Sequence, residues 1–447
     1  MLSVPSITPT KLRSAILIVL SSISVFSFAQ INSPYSRYGL GDINPSGNVL
    51  NKGMGGVSTA YMDYQSVNFL NPASYSRIGL TTFDVSLEVE NRTLHNKAKT
   101  DKFSSANLTF NYITVGLPLN KKGTWGMALG LRPSSKINYK IEARDRLIAS
   151  QTLNDSVLSI FEGSGGSNKA FAGTGFKIGG VSIGANIGYH FGQEELSTRR
   201  IFINDSIPYY RSNSANSVSF GSFFAETGLQ YDAKLGKNGF LRLGATYALS
   251  SKLKATKDLT RETFNYDQNS GAPLRLDSIF EAKDISGNIQ YPASYSVGFA
   301  IGKTDTLTKT EKWMIGFQYD ATQWDDFSIY GQKDQVANSY MVRIGGQITP
   351  NIFSEKLAGR LTYRAGIYFG KDYVNVQNIQ LPVYALTFGA GIPVKRQSFY
   401  SRQYTTINLG FEVGRRGNNN NTISENMFKF HIGLSLSDIW FQPRKYQ

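Results

Sequence analysis

The sequence predicts an all-β fold: a transmembrane antiparallel β-barrel of about 14 strands, with an N-terminal plug (hatch) in its lumen. Three observations predict it. Apolar and polar side chains alternate with a period of two along most of the chain, the pattern of a strand with two different faces. The N-terminus carries an export signal. No later segment holds about 18 uninterrupted apolar residues, so the chain has no candidate for a membrane-spanning helix.

The export signal occupies residues 1–29. Lys11 and Arg13 form a basic start, Ala15 to Leu20 continue through Ile23, Val25 and Phe26 as an apolar stretch, and Ser27-Phe28-Ala29 offers small residues where a peptidase reads them. Cleavage after Ala29 would leave Gln30 first. The whole chain of 447 residues has net charge +15, and losing Lys11 and Arg13 leaves +13. A basic exported protein suits anionic lipid and glycolipid of an outer membrane as surroundings. Nucleic acid is not an expected partner, since no binding motif is present. There is no cysteine, which excludes disulfides, thiolate metal sites and a Cys-linked lipid. Aromatic residues make up 13% of the chain, with 28 Phe and 25 Tyr, as strands and membrane interfaces favour.

From residue 80 to 447 the alternation divides into fourteen candidate strands. They lie near 81–90, 106–117, 123–142, 168–178, 181–194, 216–232, 239–254, 290–303, 312–325, 337–349, 358–370, 382–393, 404–414 and 427–437. The last is clearest: Phe428, Phe430, Ile432, Leu434 and Leu436 share one face, and Lys429, His431, Gly433, Ser435 and Ser437 the other. Tight turns at Asn120 to Gly123, Gly179-Gly180 and Gly236 to Gly239 alternate with long polar connections near 91–105, 143–167, 195–215, 255–289, 326–336, 371–381 and 415–426. That rhythm is expected of an even-stranded barrel with short inner turns and long outer loops. Trp125, Tyr139, Tyr189, Tyr231, Trp313, Trp324, Tyr368 and Trp440 sit near strand ends, where an interfacial girdle would lie.

Residues 30–79 differ. Their periodicity is weak, yet Tyr35, Tyr38, Met54, Tyr61, Tyr64, Phe69 and Tyr75 are too many large apolar groups for a solvated tail. A plug lodged inside the barrel fits this composition. Within it, Gly53-Met54-Gly55-Gly56-Val57-Ser58-Thr59-Ala60 is followed by Asp63 and then Asn71-Pro72-Ala73. Later come Tyr291 to Gly298 with Pro292, Trp313 to Tyr319 with Trp324 and Asp326 beyond, Arg360 to Gly366, and Leu381-Pro382 to Gly391. In this order the motifs resemble the FadL/TodX family of outer-membrane transporters of hydrophobic compounds. The resemblance implies fourteen strands, an N-terminal hatch, and passive uptake of a fatty-acid-like or aromatic small molecule, released sideways through an inward kink in the third strand. It assigns the hatch and ligand-binding role to Gly53, Gly55, Gly56, Asp63, Asn71, Pro72 and Ala73.

Arg132-Pro133-Ser134 interrupts the third candidate strand. Proline donates no ladder hydrogen bond, so these residues mark either a lateral opening or an ordinary bulge at the exit into a loop. The first outer connection is short and bears Arg92, Lys97, Lys99 and Lys102, which suit a carboxylate headgroup or simple solvation. Asn32 to Gly41 resembles the start of barrels from Bacteroidetes, some of which partner large secretion or assembly machines. A non-transporting barrel that docks onto other outer-membrane proteins, in a secretion or barrel-assembly complex, is therefore the competing expectation.

No enzyme and no cofactor is expected. His95, His190 and His431 are the three histidines and have no metal-ligand spacing. Ser182, His190 and Glu194 share a strand face by parity only, which is weak ground for a hydrolytic triad. Glu194-Glu195 and Asp325-Asp326 read as solvated strand ends, and Gly163 to Gly166 lacks the Lys-Ser/Thr start of a phosphate cradle.

Overall fold

The computed structural model describes residues 33–43, 47–98, 102–120, 122–146, 156–203, 210–267, 269, 271, 273–305, 311–394 and 404–438. The predicted export signal and Trp440 lie outside them. Fourteen wall strands follow one another: β1 (Thr81–Asn96), β2 (Lys102–Pro118), β3 (Trp125–Arg146), β4 (Ser156–Ile178), β5 (Val181–Phe202), β6 (Arg211–Leu235), β7 in two pieces (Gly239–Ala248 and Ser251–Tyr266), β8 in two pieces (Pro273–Tyr291 and Ser294–Thr304), β9 (Glu311–Thr322), β10 (Ser339–Ile348), β11 (Thr362–Val376), β12 (Ile379–Pro393), β13 (Tyr404–Arg416) and β14 (Ile423–Asp438). Each pairs antiparallel with its sequence neighbours. The ring closes where β14 pairs with β1, from Asp438↔Thr81 to Ile423↔Asn96. Closing the ladder spares backbone groups exposure to hydrocarbon, where an unpaired group costs several kcal/mol, although the pairing of β2 with β3 stops at Ile113↔Leu131.

The period-two pattern becomes a two-sided wall. On β14, Phe428, Ile432 and Leu436 face out, while Lys429, His431, Ser435 and Ser437 are buried within the ring. On β5 the outward side runs Val181, Ile183, Ile187, Tyr189 and Phe191, all exposed, and then turns polar at Gln193 and Glu195. On β6 it runs Tyr231, Leu229 and Phe223, then Ser219 and Ser217. Eleven residues from Val181 to Phe191 match the 9–11 that a tilted strand needs to cross a bilayer. One row, Lys136↔Gly166↔Gln193↔Ser219↔Thr256↔Ser286, therefore marks the outer limit of the apolar belt on β3 to β8.

The long outer connections expected from composition are mostly strand. Residues 156–165, 195–202, 211–215, 257–266 and 273–285 continue β4 to β8 beyond that row. Polar, charged stretches read as loops because hydropathy was the signal, yet a strand outside lipid has no reason to be greasy. Past the row, Lys140, Glu162, Glu195, Arg199, Asn213 and Glu262 line a polar groove of about 500 Å³. Another expected outer loop shrinks to a two-residue turn, Gln377-Asn378, both at positive φ, as tight hairpin turns require.

The belt assignment is testable. Ile187→Arg, at mid-belt, should destabilise the barrel by about 2–4 kcal/mol, whereas Gln193→Arg at its margin should cost about 0–1 kcal/mol. Reversible urea unfolding in lipid vesicles measures both.

Candidate functional site: the filled lumen and the interrupted wall

The N-terminal segment runs through the ring from the outer rim toward the end where β1 starts. At the rim, a 3₁₀ turn (Pro34–Arg37) capped by the Ser33 hydroxyl lies beside Tyr373, Trp324 and Leu381 in one apolar cluster, to which Tyr35 and Leu40 belong. A short helix, Val49–Lys52, follows, capped by Asn48. Deeper, the 3₁₀ turn Pro72–Arg77 is capped by Asn71, whose side-chain oxygen accepts from the Ala73 N–H at 3.1 Å. Pro72 suits this first position because its missing N–H would have no partner there.

Irregular backbone inside a barrel must find hydrogen bonds, and inward wall side chains supply them. Gln318 accepts from Ser58 N (2.7 Å) and Thr59 N (2.8 Å). Gln230 donates to Thr59 O at 2.8 Å. Thr387 accepts from Gly55 N at 2.7 Å, and Arg343 donates to Gly55 O at 3.0 Å. Asn71 Nδ2 donates to Thr59 O at 2.6 Å. Gly55 and Gly56 have φ of +68° and +84°, and a Cβ on Gly55 would lie 2.8 Å from Ile367 O. The wall is cut to match: a Cβ at Gly184, Gly228 or Gly345 would overlap Pro72, Asn71 or Met54 respectively. Gly53, Gly55, Gly56, Asn71, Pro72 and Ala73 are thus brought against the wall by backbone approach and capping. Asp63 instead turns inward on its own segment, accepting from Tyr61 Oη (2.7 Å) and Gln65 N (2.7 Å).

Buried ion pairs stand around the space that remains. Lys52 pairs with Glu88 (2.8 Å), which also meets His431 (3.0 Å). Arg132 pairs with Glu226 (2.9 Å), as does Lys169 (3.1 Å). Arg242 joins Asp232 and Glu311 at 2.6 and 2.9 Å. Nearer the rim, Asp42 receives Arg92 (2.6 Å) and Arg416 (2.7 Å), and Arg416 also meets Asp372 (2.6 Å). Ser33 hydrogen-bonds Glu425, which Arg92 reaches at 3.1 Å. Burial pushes the Asp42 carboxyl up, but the two guanidiniums outweigh it and hold the group below the usual carboxylate range. Arg92, read from sequence as a loop charge, is one of these buried latch groups. Ser182 and His190 are eight positions apart on β5, roughly 26 Å at a strand's rise, so no triad forms. Among the described residues no cluster of His, Asp and Glu is arranged to hold a metal.

The wall is interrupted between β2 and β3. Their pairing runs from Pro118↔Gly126 only to Ile113↔Leu131, so β3 from Arg132 onward has no ladder to β2. Pro133 begins a register shift against β4. On the freed edge, Asp42 and Ile43 of the N-terminal segment pair with Lys136 and Ser135 as a two-residue strand. Arg132 and Ser134 line a cavity of about 260 Å³ with Lys169, His190, Glu226 and Tyr291. The Arg132 guanidinium also lies over Phe69, 5.3 Å from the ring centroid. Sequence reading missed Gln230, Gln318, Thr387 and Glu226; their one signal was a polar residue at an inward position of its strand.

Residues 11–447 match the family described as BamG. The chain belongs to the BamG family. The barrel of this BamG-family chain is also similar to solved channels. The Pseudomonas putida toluene transporter TodX is 16% identical, with TM-score 0.55, covering 89% of this chain and 100% of its own. A Pseudomonas aeruginosa FadL homologue is 13% identical, with TM-score 0.54 and coverage of 90% and 100%. The CymD monoaromatic hydrocarbon channel is 14% identical, with TM-score 0.50 and coverage of 88% and 98%. At such identities the likeness establishes a FadL/TodX-type fold. No curated protein matches the chain.

Two predictions follow from the ion pairs. Lys52→Met leaves Glu88 buried without its lysine and should cost about 3–5 kcal/mol, with much of the loss recovered by adding Glu88→Gln; urea unfolding reads both. The Asp42 latch, whose carboxyl is lowered, contributes stability above the ordinary value of about 3.9 and loses it as pH falls through the folded value. Protease cleavage within residues 33–43 should therefore be absent at pH 7 and appear only below about pH 4. Asp42→Asn should expose the segment at neutral pH.

Proposed function

We propose that this barrel is a membrane-embedded docking subunit that other outer-membrane proteins assemble against, in a secretion or barrel-assembly complex, and that it performs no catalysis. The observation that carries this reading is the state of the lumen. A pore for a hydrophobic molecule needs a continuous apolar path, since ligand pockets are lined mainly by apolar side chains with few polar groups. Here the N-terminal segment is hydrogen-bonded to inward side chains of β6, β9 and β12, which supports reading it as a plug. The leftover cavities, about 260 and 220 Å³, set the charges of Arg132, Lys169, Glu226, Arg92, Arg416 and Lys429 among apolar groups such as Phe224, Tyr291, Tyr340, Met341 and Val383. Ion pairs of this kind hold the segment in place and interrupt the apolar lining that a hydrocarbon path would need.

A second reading has its own support. The wall lacks a ladder between β2 and β3 beside Pro133, and the solved proteins TodX and CymD are a toluene transporter and a monoaromatic hydrocarbon channel. In that reading Gly53, Gly55, Gly56, Asp63, Asn71, Pro72 and Ala73 form a hatch. A fatty-acid-like or aromatic molecule would leave sideways at Arg132, Pro133 and Ser134 into the surrounding lipid and glycolipid.

Purification of the tagged chain from native membranes in mild detergent, paired with toluene uptake by proteoliposomes, separates the two. Stoichiometric recovery with other outer-membrane proteins and uptake no faster than for empty vesicles is the expected result. Recovery alone, with uptake abolished by bulky substitution at Ser134, would transfer the assignment to passage.

A further inference from the structure

Above the apolar belt the wall is no longer closed. β3 to β8 continue past the row that ends at Ser286, as an open six-stranded sheet with two edges. The β3 edge takes a strand from the same chain at Asp42–Ile43. The β8 edge does likewise, but only at its foot: Ser328–Ile329 pair with Gln290–Ile289, and Tyr330 N–H donates to Asn288 O at 3.0 Å. β9 ends at Thr322, level with Ser294. Among the described residues, no strand pairs with the outer edge of β8 from Pro273 to Ser286, and the contact given to its backbone there is the Tyr330 hydroxyl, which donates to Ile285 O at 2.9 Å.

Proteins ordinarily defend such an edge with bulges and charges. This edge has three bulges against β7, at Arg275/Asp277, Ser278/Phe280 and Ala282/Ile285. Two of them place an apolar residue in the extra position. Leu276 is 52% exposed and Ile279 67% exposed, flanked by Leu274 and Phe280, also exposed. Leucine and isoleucine left off the ladder and exposed on an edge strand are the reverse of protection. A bulge re-aims its side chain, and here both aim apolar groups away from the sheet.

The charges point to the kind of partner. On a chain of net +15, residues 251–291 carry six Lys/Arg against six Asp/Glu. Several are spent on one another: Arg275 with Glu262 and Glu281, and Lys283 with Glu281. A neutral, internally paired surface has no attraction for anionic glycolipid. It offers backbone N–H and C=O groups and apolar knobs, which an extended polypeptide segment satisfies together.

We propose that Pro273–Ser286 of β8 is the docking edge for an extended segment of a partner outer-membrane protein, added as a further strand with Leu276 and Ile279 seated against the partner's apolar side chains. This rests on the docking reading above and names its surface. The foot of the same edge already carries a strand in cis, so the added strand continues an existing pairing outward.

The test uses the full chain in its native membrane. A photo-crosslinking residue is placed at Leu276 or Ile279, with Ile315 in the lipid belt as control. Separately, a Leu276→Asp/Ile279→Asp variant is purified in mild detergent, its folding checked by heat-modifiable migration. The expected result is an adduct from 276 and 279, absent from 315, to a protein that also co-purifies stoichiometrically with the unaltered chain, and at least a tenfold loss of that protein from the folded double variant. Adducts only to a second copy of this chain or to lipid would overturn the proposal, as would undiminished recovery with the double variant. If the unaltered chain brings down no partner, the docking reading itself fails. If the partner stays bound to the double variant, that reading stands and the edge is wrong. Should the variant not fold, the adducts from otherwise unaltered chains decide.

Discussion

Closure of the hydrogen-bond ladder governs this molecule. Lipid offers no donor or acceptor, so each backbone group within the apolar belt needs a neighbouring strand, and the sheet has to return to its own first strand. The β14–β1 pairing does this over its full length. Closure then assigns the faces: with lipid outside, alternate residues are greasy and the others point into a space that only this chain can fill. The inward side holds Asp84, Glu88, Arg92, Glu412 and Lys429, charges that would be intolerable on the outer face.

The filling is the N-terminal segment, and its fit is of two kinds. One is steric: glycines on segment and wall let two backbones approach closer than a Cβ permits. The other is electrostatic: Lys52 and Asp42 are each met by opposite charges from the wall. Breaking a buried pair costs far more than forming it gains, so these contacts act less as a source of stability than as a penalty on misplacement. Together they support the fixed subunit proposed above, whose proposed docking surface lies outside the apolar belt, where the wall opens into a sheet.

The strand count and the facing of β14 could be read from the sequence because period two is a local property. The glycines and Asn71-Pro72-Ala73 were legible as special backbone, and the structure puts them against the wall. Whether they gate anything is a property of motion and ligand that residue type does not encode. Strand lengths outside the belt were not legible. Residues 257–266 and 273–285 are polar and charged, and outside lipid a strand and a loop share that composition. Nor were the wall partners, since Gln230 and Gln318 meet Thr59 across more than 170 positions of chain, and such a pairing exists only once the ring has formed.

The close backbone fit of the N-terminal segment has a consequence for biogenesis. Its residues touch β5, β6, β10 and β11 at glycine distance, and it crosses the ring from rim to base. If the segment already lies across the sheet when β14 meets β1, the pairing from Asp438↔Thr81 to Ile423↔Asn96 closes the ring around it. A factor that holds β1 and β14 apart would therefore be deciding when the interior is sealed around its own first residues.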